Sequence, residues 1–452
     1  MGAIVTDALH SRVMPVATPE TLSPSLALTL AFAAALVLGL VLKFWLASRQ
    51  IRHVASHRAA LPAAFAGRVA LAAHQKGADY TISKTRFSLL EMALGAAVLL
   101  GWTVLGGLNA LNQFLLDLLG GGMAQQLVLL AAFALINSLI DLPVTLYQTF
   151  VIEQRFGFNQ MTLRLWLADL LKSTLVGVLI GLPIAAAVLW LMGAAGHLWW
   201  LWAWALWTGF SLALMVVYPT LIAPLFNRFQ PLEDGALRAR VTDLMQRCGF
   251  SAKGLFVMDG SKRSAHANAY FTGFGAAKRV VFYDTLLRQL NPAEVEAVLA
   301  HELGHFKHRH ILKRMAVLFA LSLAGFALLG WLSTQLWFYT GLGVQPNLSA
   351  LVPGVPASPN DALALLLFLL VAPVFTVFLA PLFAQLSRHD EFQADAYALA
   401  QSNGAALASA LLKLHEDNAS TLTPDPVYVK FYYSHPPASE RLERLPLPAL
   451  TP

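Results

Sequence analysis

His301, Glu302 and His305 form an H-E-x-x-H pattern inside Ala297-Val298-Leu299-Ala300-His301-Glu302-Leu303-Gly304-His305. On a helix, positions i and i+4 lie about 40° apart around the axis and about 6 Å along it, so both imidazoles can reach one ion. Glu302, one step from the first imidazole, can aim its carboxylate at water held by that ion. The spacing therefore supplies two metal ligands and a general base. The competing reading is a helix whose histidines only reach water at a membrane surface.

A catalytic zinc takes three protein ligands and keeps a fourth position open. The run Ser387-Arg388-His389-Asp390-Glu391-Phe392-Gln393-Ala394-Asp395 offers the third. On a helix Glu391 and Asp395 share a face, so Glu391 can bind metal while Asp395 accepts the other N–H of a ligand histidine. His389 and Asp390 are rivals, but neither has an acid four residues later on the same face. Two imidazoles and one carboxylate fit one Zn2+ per chain. His308 and His310 do not complete a tetrahedral set, and surface or packing roles are expected of them.

These residues sit in a chain of 452 residues, 57% hydrophobic and 12% charged, with mean hydropathy +0.60. Soluble domains carry about 25% charged residues, so a bilayer is the expected solvent. Seven apolar runs can cross it, near residues 25–47, 88–118, 124–149, 167–193, 198–226, 311–339 and 361–386. The first is too long for the apolar core of a cleaved signal. Trp190, Trp199, Trp200, Trp202 and Trp204 read as an interfacial belt. The net charge of +6 flanks spans and does not form a nucleic-acid footprint, so no nucleic-acid partner is expected. The single Cys248 excludes an internal disulfide framework and a four-thiolate metal site.

The connection after the first run carries Arg49, Arg52, Arg58, Arg68, Lys76, Lys84 and Arg86 against one acid, Asp79, which places it in the cytoplasm. Counting spans from there puts 227–310 and the tail from 387 on that same side, so His301 and Glu391 can meet. The expected organisation is 1–226 with five spans, 227–310 with the H-E-x-x-H helix, 311–386 with two more spans, and 387–452 completing the metal site. Within 227–310, residues 234–248 read as an amphipathic helix, Gly254–Met258 and Arg279–Tyr283 as short strands, and Asn291-Pro292 as a helix start. Asp169 and Lys172 either line a wet cavity or pair with each other one helical turn apart.

Beyond the H-E-L-G-H run and Ser387–Ala396, three more motifs carry a resemblance. They are Ile152-Glu153-Gln154-Arg155-Phe156-Gly157-Phe158-Asn159, His266-Ala267-Asn268-Ala269-Tyr270-Phe271, and Tyr433-Ser434-His435-Pro436-Pro437 followed by Glu440-Arg441-Leu442. Together they make the chain similar, over nearly its whole length, to the type I CAAX endopeptidases, or CAAX prenyl protease 1 family. The resemblance implies a mainly α, polytopic membrane fold. Seven transmembrane helices would enclose a water-filled chamber, with a small α+β zincin-like metallopeptidase domain on the cytoplasmic side. It also implies that His435 hydrogen-bonds the oxyanion and that Arg441 supports the site. Asn268, with His266 and Tyr270, would lie along an edge strand that pairs with substrate. From the residues alone, His435 before two prolines reads equally well as a turn. Glu153, Arg155 and Asn159 read as a network supporting the chamber.

The expected activity is zinc-dependent peptide-bond hydrolysis near the C-terminus of CAAX-type, prenylated or other membrane-associated substrates. A broad-specificity quality-control peptidase is the alternative within the same chemistry. A metal transporter is disfavoured because Glu302 and the Glu391/Asp395 pair are superfluous to transport and no spans show inverted-repeat symmetry. The Ala- and Leu-rich spans and the lack of a basic retrieval tail favour a bacterial inner membrane over an ER membrane. The sequence leaves oligomeric state open.

Overall fold

The computed structural model describes residues 22–250, 254–272, 279–347 and 359–446. Its helices are α1 (Pro24–Ser56), α2 (Leu71–Trp102), α3 (Gly107–Leu119), α4 (Met123–Tyr147), α5 (Leu163–Ala194), α6 (Trp199–Val217), α7 (Ala223–Phe226), α8 (Gly235–Arg247), α9 (Asp284–Gln289), α10 (Pro292–Lys307), α11 (His310–Leu332), α12 (Leu336–Thr340), α13 (Asp361–Thr376), α14 (Ala380–Gln401), α15 (Gly404–Asp417), α16 (Pro426–Tyr432) and α17 (Ala438–Leu442). The strands are β1 (Phe229–Pro231), β2 (Gly254–Met258), β3 (Ala269–Thr272) and β4 (Arg279–Tyr283).

Seven helical stretches among the described residues are long and apolar enough to cross a membrane. The protein is an integral, multi-pass membrane protein. Packing contacts run α1–α2–α3–α4–α5–α6–α11–α13 and return from α13 to α1, closing a ring. In each apolar window only 6% to 33% of residues are buried, so most span side chains are not enclosed by packing within the chain. Packed side chains gather at its two ends. One cluster joins Phe32, Trp102, Leu129, Leu189, Phe338 and Leu367. The other joins Val241, Phe282, Leu299, Leu303, Leu411 and Leu442 around the helix that carries His301 and His305.

The second span differs from the apolar run expected at 88–118. The helix begins at Leu71 and ends at Trp102, and α3 follows as a separate helix after Gly106 at φ 78. Polar residues on α2 interrupt its hydropathy without breaking the helix; Asp79 is held by Arg58 through two hydrogen bonds of 2.7 and 2.8 Å. The last stretch, Asp361–Gln401, has 41 residues, which rise about 60 Å. Glu391 stands about 45 Å along it, against about 30 Å of hydrocarbon, so α14 carries Glu391 past the bilayer core.

The small sheet runs β1-β2-β4-β3. β2 pairs parallel with β4, and β1 and β3 pair antiparallel with β2 and β4. α10 starts with a capping box: Asn291 accepts from the backbone of Ala293 and Glu294, and Glu294 accepts from the backbone N–H of Asn291. Glu294 is also held by Ser409 at 2.7 Å and Lys413 at 2.8 Å, which fastens α10 to α15.

Two expectations need correction. Asp169 does not pair with Lys172; it accepts from Arg263 at 2.8 and 3.1 Å, while Lys172 donates to the carbonyl of Leu225. The tryptophans divide by role. Trp190 and Trp202 are exposed as a belt requires. Trp204 donates to Phe319 and Ser322 on α11, and Trp200 packs on Gly330.

Candidate metal centre

α10 and α14 lie side by side because Gly304 has no side chain. A β-carbon there would stand 2.8 Å from the Cα of Ala394. That approach brings His301, His305 and Glu391 together, with one ligand atom of each within 4.8 Å of the others. His301 Nε2 lies 3.4 Å from Glu391 Oε2, and His305 Nε2 lies 3.4 Å from Glu391 Oε1. These separations are long for hydrogen bonds. They match two ligands about 2.0–2.1 Å from one tetrahedral ion, which stand about 3.4 Å apart. Glu391 Oε2 is also buried without a hydrogen-bond partner, and a buried carboxylate oxygen rarely stays so. The donor set fits a divalent cation of the zinc type.

Second partners fix both rings. His301 Nδ1 lies 2.9 Å from Asp395 Oδ1, and the guanidinium of Arg441 holds Asp395 through both carboxylate oxygens. All three side chains are buried. Asp395 therefore takes the Nδ1 proton of His301 and leaves Nε2 as the free lone pair.

His305 is held by a residue for which only a surface or packing role was expected. His310 is 2% exposed; its Nδ1 lies 3.0 Å from His305 Nδ1, and its Nε2 lies 2.9 Å from Gln393 Oε1. An amide oxygen only accepts, so His310 Nε2 carries its proton and His310 Nδ1 accepts from His305. The Gln393 amide nitrogen faces His389 Nε2 at 2.8 Å, in keeping with that orientation. His305 Nε2 is thereby left free as well. The chain can fold back this way because Arg309, between α10 and α11, sits at φ 56.

Burial works against a charge on His301, but the carboxylates of Asp395 and Glu391 outweigh it and raise its pKa, so a bound cation competes with a proton for Nε2. Burial also pushes the Glu302 carboxyl up, and His301 and His305 pull it partly back.

The rival ligands point elsewhere. His389 meets Gln393, and Asp390 faces His310 at 3.5 Å and Arg314 at 3.9 Å. His435 does reach the centre, with Nε2 3.3 Å from Glu391 Oε1, while its ring remains 66% exposed.

β3 is the outer strand of the described sheet and lies beside α10, with the Phe271 and Phe306 rings 5.1 Å apart. Tyr283 N–H donates to the carbonyl of Asn268. In an antiparallel ladder that turns the backbone groups of Ala269 and Phe271 outward. The Asn268 side chain accepts from the Ala269 N–H. Tyr270 lines a groove on the sheet with Phe256 and Arg279. His266 stacks on Phe158 with centroids 4.2 Å apart, and its ring meets Asn418 at 3.1 Å and Glu153 at 3.6 Å.

Comparison with known proteins agrees with this architecture. Residues 50–228 match the family model described as CAAX prenyl protease N-terminal, five membrane helices. Residues 231–448 match that of peptidase family M48. The chain is 36% identical over 400 residues to the CAAX prenyl protease 1 homolog of Arabidopsis thaliana, covering 85% of this chain and 90% of the relative. It is 35% identical to CAAX prenyl protease 1 of Saccharomyces cerevisiae, with 72% of each chain covered. The crystal structure of S. mikatae Ste24p superimposes with TM-score 0.85 at 30% identity, covering 94% of this chain and 99% of that one.

Proposed function

This chain belongs to the CAAX prenyl protease 1 family of M48 metallopeptidases, and from that membership we propose that it removes C-terminal residues from CAAX-type substrates with zinc held by His301, His305 and Glu391. The observation that carries the assignment is the pair of 3.4 Å separations between Glu391 and the two Nε2 atoms. Zinc in that position supplies Lewis acidity, polarising a carbonyl and lowering the pKa of water toward neutrality.

The chain's own groups do the rest. Glu302 takes a proton from the attacking water as its oxygen bonds to the scissile carbon. It returns that proton to the nitrogen as the C–N bond breaks. His435, beside Glu391 and held at Nδ1 by Ser434, donates to the oxygen on which negative charge develops. Asp395 and Arg441 hold the tautomer of His301, and His310 does the same for His305. The substrate backbone pairs with the outward carbonyl of Ala269 and the outward groups of Phe271, with Asn268, which holds the Ala269 N–H, at the entry to the strand. The basic residues around the first connection support a cytoplasmic location for the centre, and a bacterial inner membrane accommodates the same orientation.

The test is cleavage of a CAAX peptide, prenylated and unprenylated, by detergent-purified protein with and without a zinc chelator. Chelator-sensitive release of the C-terminal residues is the expected result, and cleavage at scattered internal sites of unrelated peptides would favour a broad quality-control peptidase.

A further inference from the structure

Beside the metal centre lies a cavity of ≈ 590 Å³ whose walls include His435, Arg441, Asn418, Tyr80 and Lys84. Its size suits the end of a short peptide. The charged residues that line it are cations, Lys84 and Arg441, and no carboxylate is among its lining residues. Arg441 is committed to Asp395. Lys84 is not fully committed. Its ammonium donates to Tyr80 Oη at 3.1 Å and lies 3.6 Å from Glu153 Oε1, while the side chain stays 44% exposed. An ammonium has three N–H groups, so at least one is left for a ligand. The hydroxyl proton of Tyr80 goes to Glu153 Oε1 at 2.7 Å, which keeps Tyr80 as an acceptor and pins the lysine.

Strand direction points to the same place. Asn418 accepts from the Ala267 N–H and meets the His266 ring, so the cavity wall is tied to the residues that lead into β3. A peptide laid antiparallel on the outer edge of β3 runs its C-terminal end toward those residues. Its last atoms are then a free α-carboxylate entering a cavity lined by cations.

We propose that this cavity receives the C-terminal end of the peptide substrate, and that the Lys84 ammonium pairs with its α-carboxylate. This rests on the peptidase reading above and adds to it a specificity-determining residue. Cleavage near a C-terminus then follows from the fixed reach between Lys84 and the metal centre.

The test uses one CAAX-type peptide made as the free acid and as the C-terminal amide, with wild type, Lys84→Met and Lys84→Arg in detergent, each checked by thermal melting. Wild-type kcat/KM should favour the acid by roughly 10- to 100-fold, the worth of one charge-assisted hydrogen bond, with most of the difference in KM. The ratio should fall to near one in Lys84→Met and persist in Lys84→Arg. A merely structural role would slow both peptides together and leave the ratio unchanged. A wild-type ratio near one, or a ratio untouched by Lys84→Met, overturns the assignment while leaving the peptidase reading intact. If neither peptide is cleaved in a chelator-sensitive way, it is the peptidase reading that fails. The ratio of acid to amide binding by Glu302→Gln protein then decides the role of Lys84 by the same criterion.

Discussion

Gly304 and Ala394 set the spacing of the metal centre: a single added carbon at Gly304 would meet the Ala394 backbone at 2.8 Å and Tyr397 Cβ at 3.1 Å. Backbone cannot rotate away, so α14 must shift, and Glu391 shifts with it. Gly304→Ala should weaken metal binding by roughly tenfold or more, the scale of a misplaced ligand shell, and Gly304→Val more. Chelator competition followed by metal analysis measures this. Unchanged affinity in a folded Gly304→Ala protein would mean the contact does not govern the site.

Glu302→Gln keeps the shape of the side chain and removes the base. Cleavage should fall by roughly a hundred- to ten-thousand-fold while the melting temperature and bound metal stay close to wild type. Retained activity in that purified variant would exclude Glu302 as the base.

His310→Ala removes the acceptor that holds the Nδ1 proton of His305. Metal affinity should drop by roughly 10- to 100-fold, with partial recovery in His310→Gln, whose amide oxygen can accept the same proton. Equal affinity in wild type and His310→Ala would reduce His310 to packing.

Glu294 provides a pH-dependent part of stability. Burial opposes its charge, but Lys413, Ser409 and the Asn291 N–H outweigh burial and hold its carboxyl below the usual range. A carboxyl depressed on folding stabilises above its unfolded pKa of about 4.3. That stabilisation is lost as pH falls through the lower folded value. Glu294→Gln should therefore be less stable than wild type at pH 7, by roughly 2 kcal/mol, and the gap should narrow below pH 4. A gap that stays constant from pH 7 to pH 3 would exclude this linkage.

The seven membrane crossings were legible because twenty apolar residues in a row have few other uses. The juxtaposition of His301, His305 and Glu391 was legible because i, i+4 spacing works on both helices. What escaped the sequence was set by tertiary contact. α2 starts at Leu71 although Lys76, Asp79, Lys84 and Arg86 dilute its hydropathy, since paired charges do not break a helix. β1, three residues long, is too short for alternation to register, and β3, four residues long, is expected only from the family resemblance and not from its own pattern. Asp169 found Arg263 rather than its helical neighbour Lys172 because the polar segment folds back under the spans. His310 carries no local signal at all; its role depends on the left-handed turn at Arg309.

Metal content per chain is the most direct test of the whole account. Wild type and Glu302→Gln, purified without added metal and dialysed, should each hold about one zinc per chain. His301→Ala, His305→Ala and Glu391→Ala should each hold close to none while still inserting in membranes. Full zinc occupancy in Glu391→Ala, or a wild-type protein that binds no zinc when zinc is supplied, would contradict the centre described here.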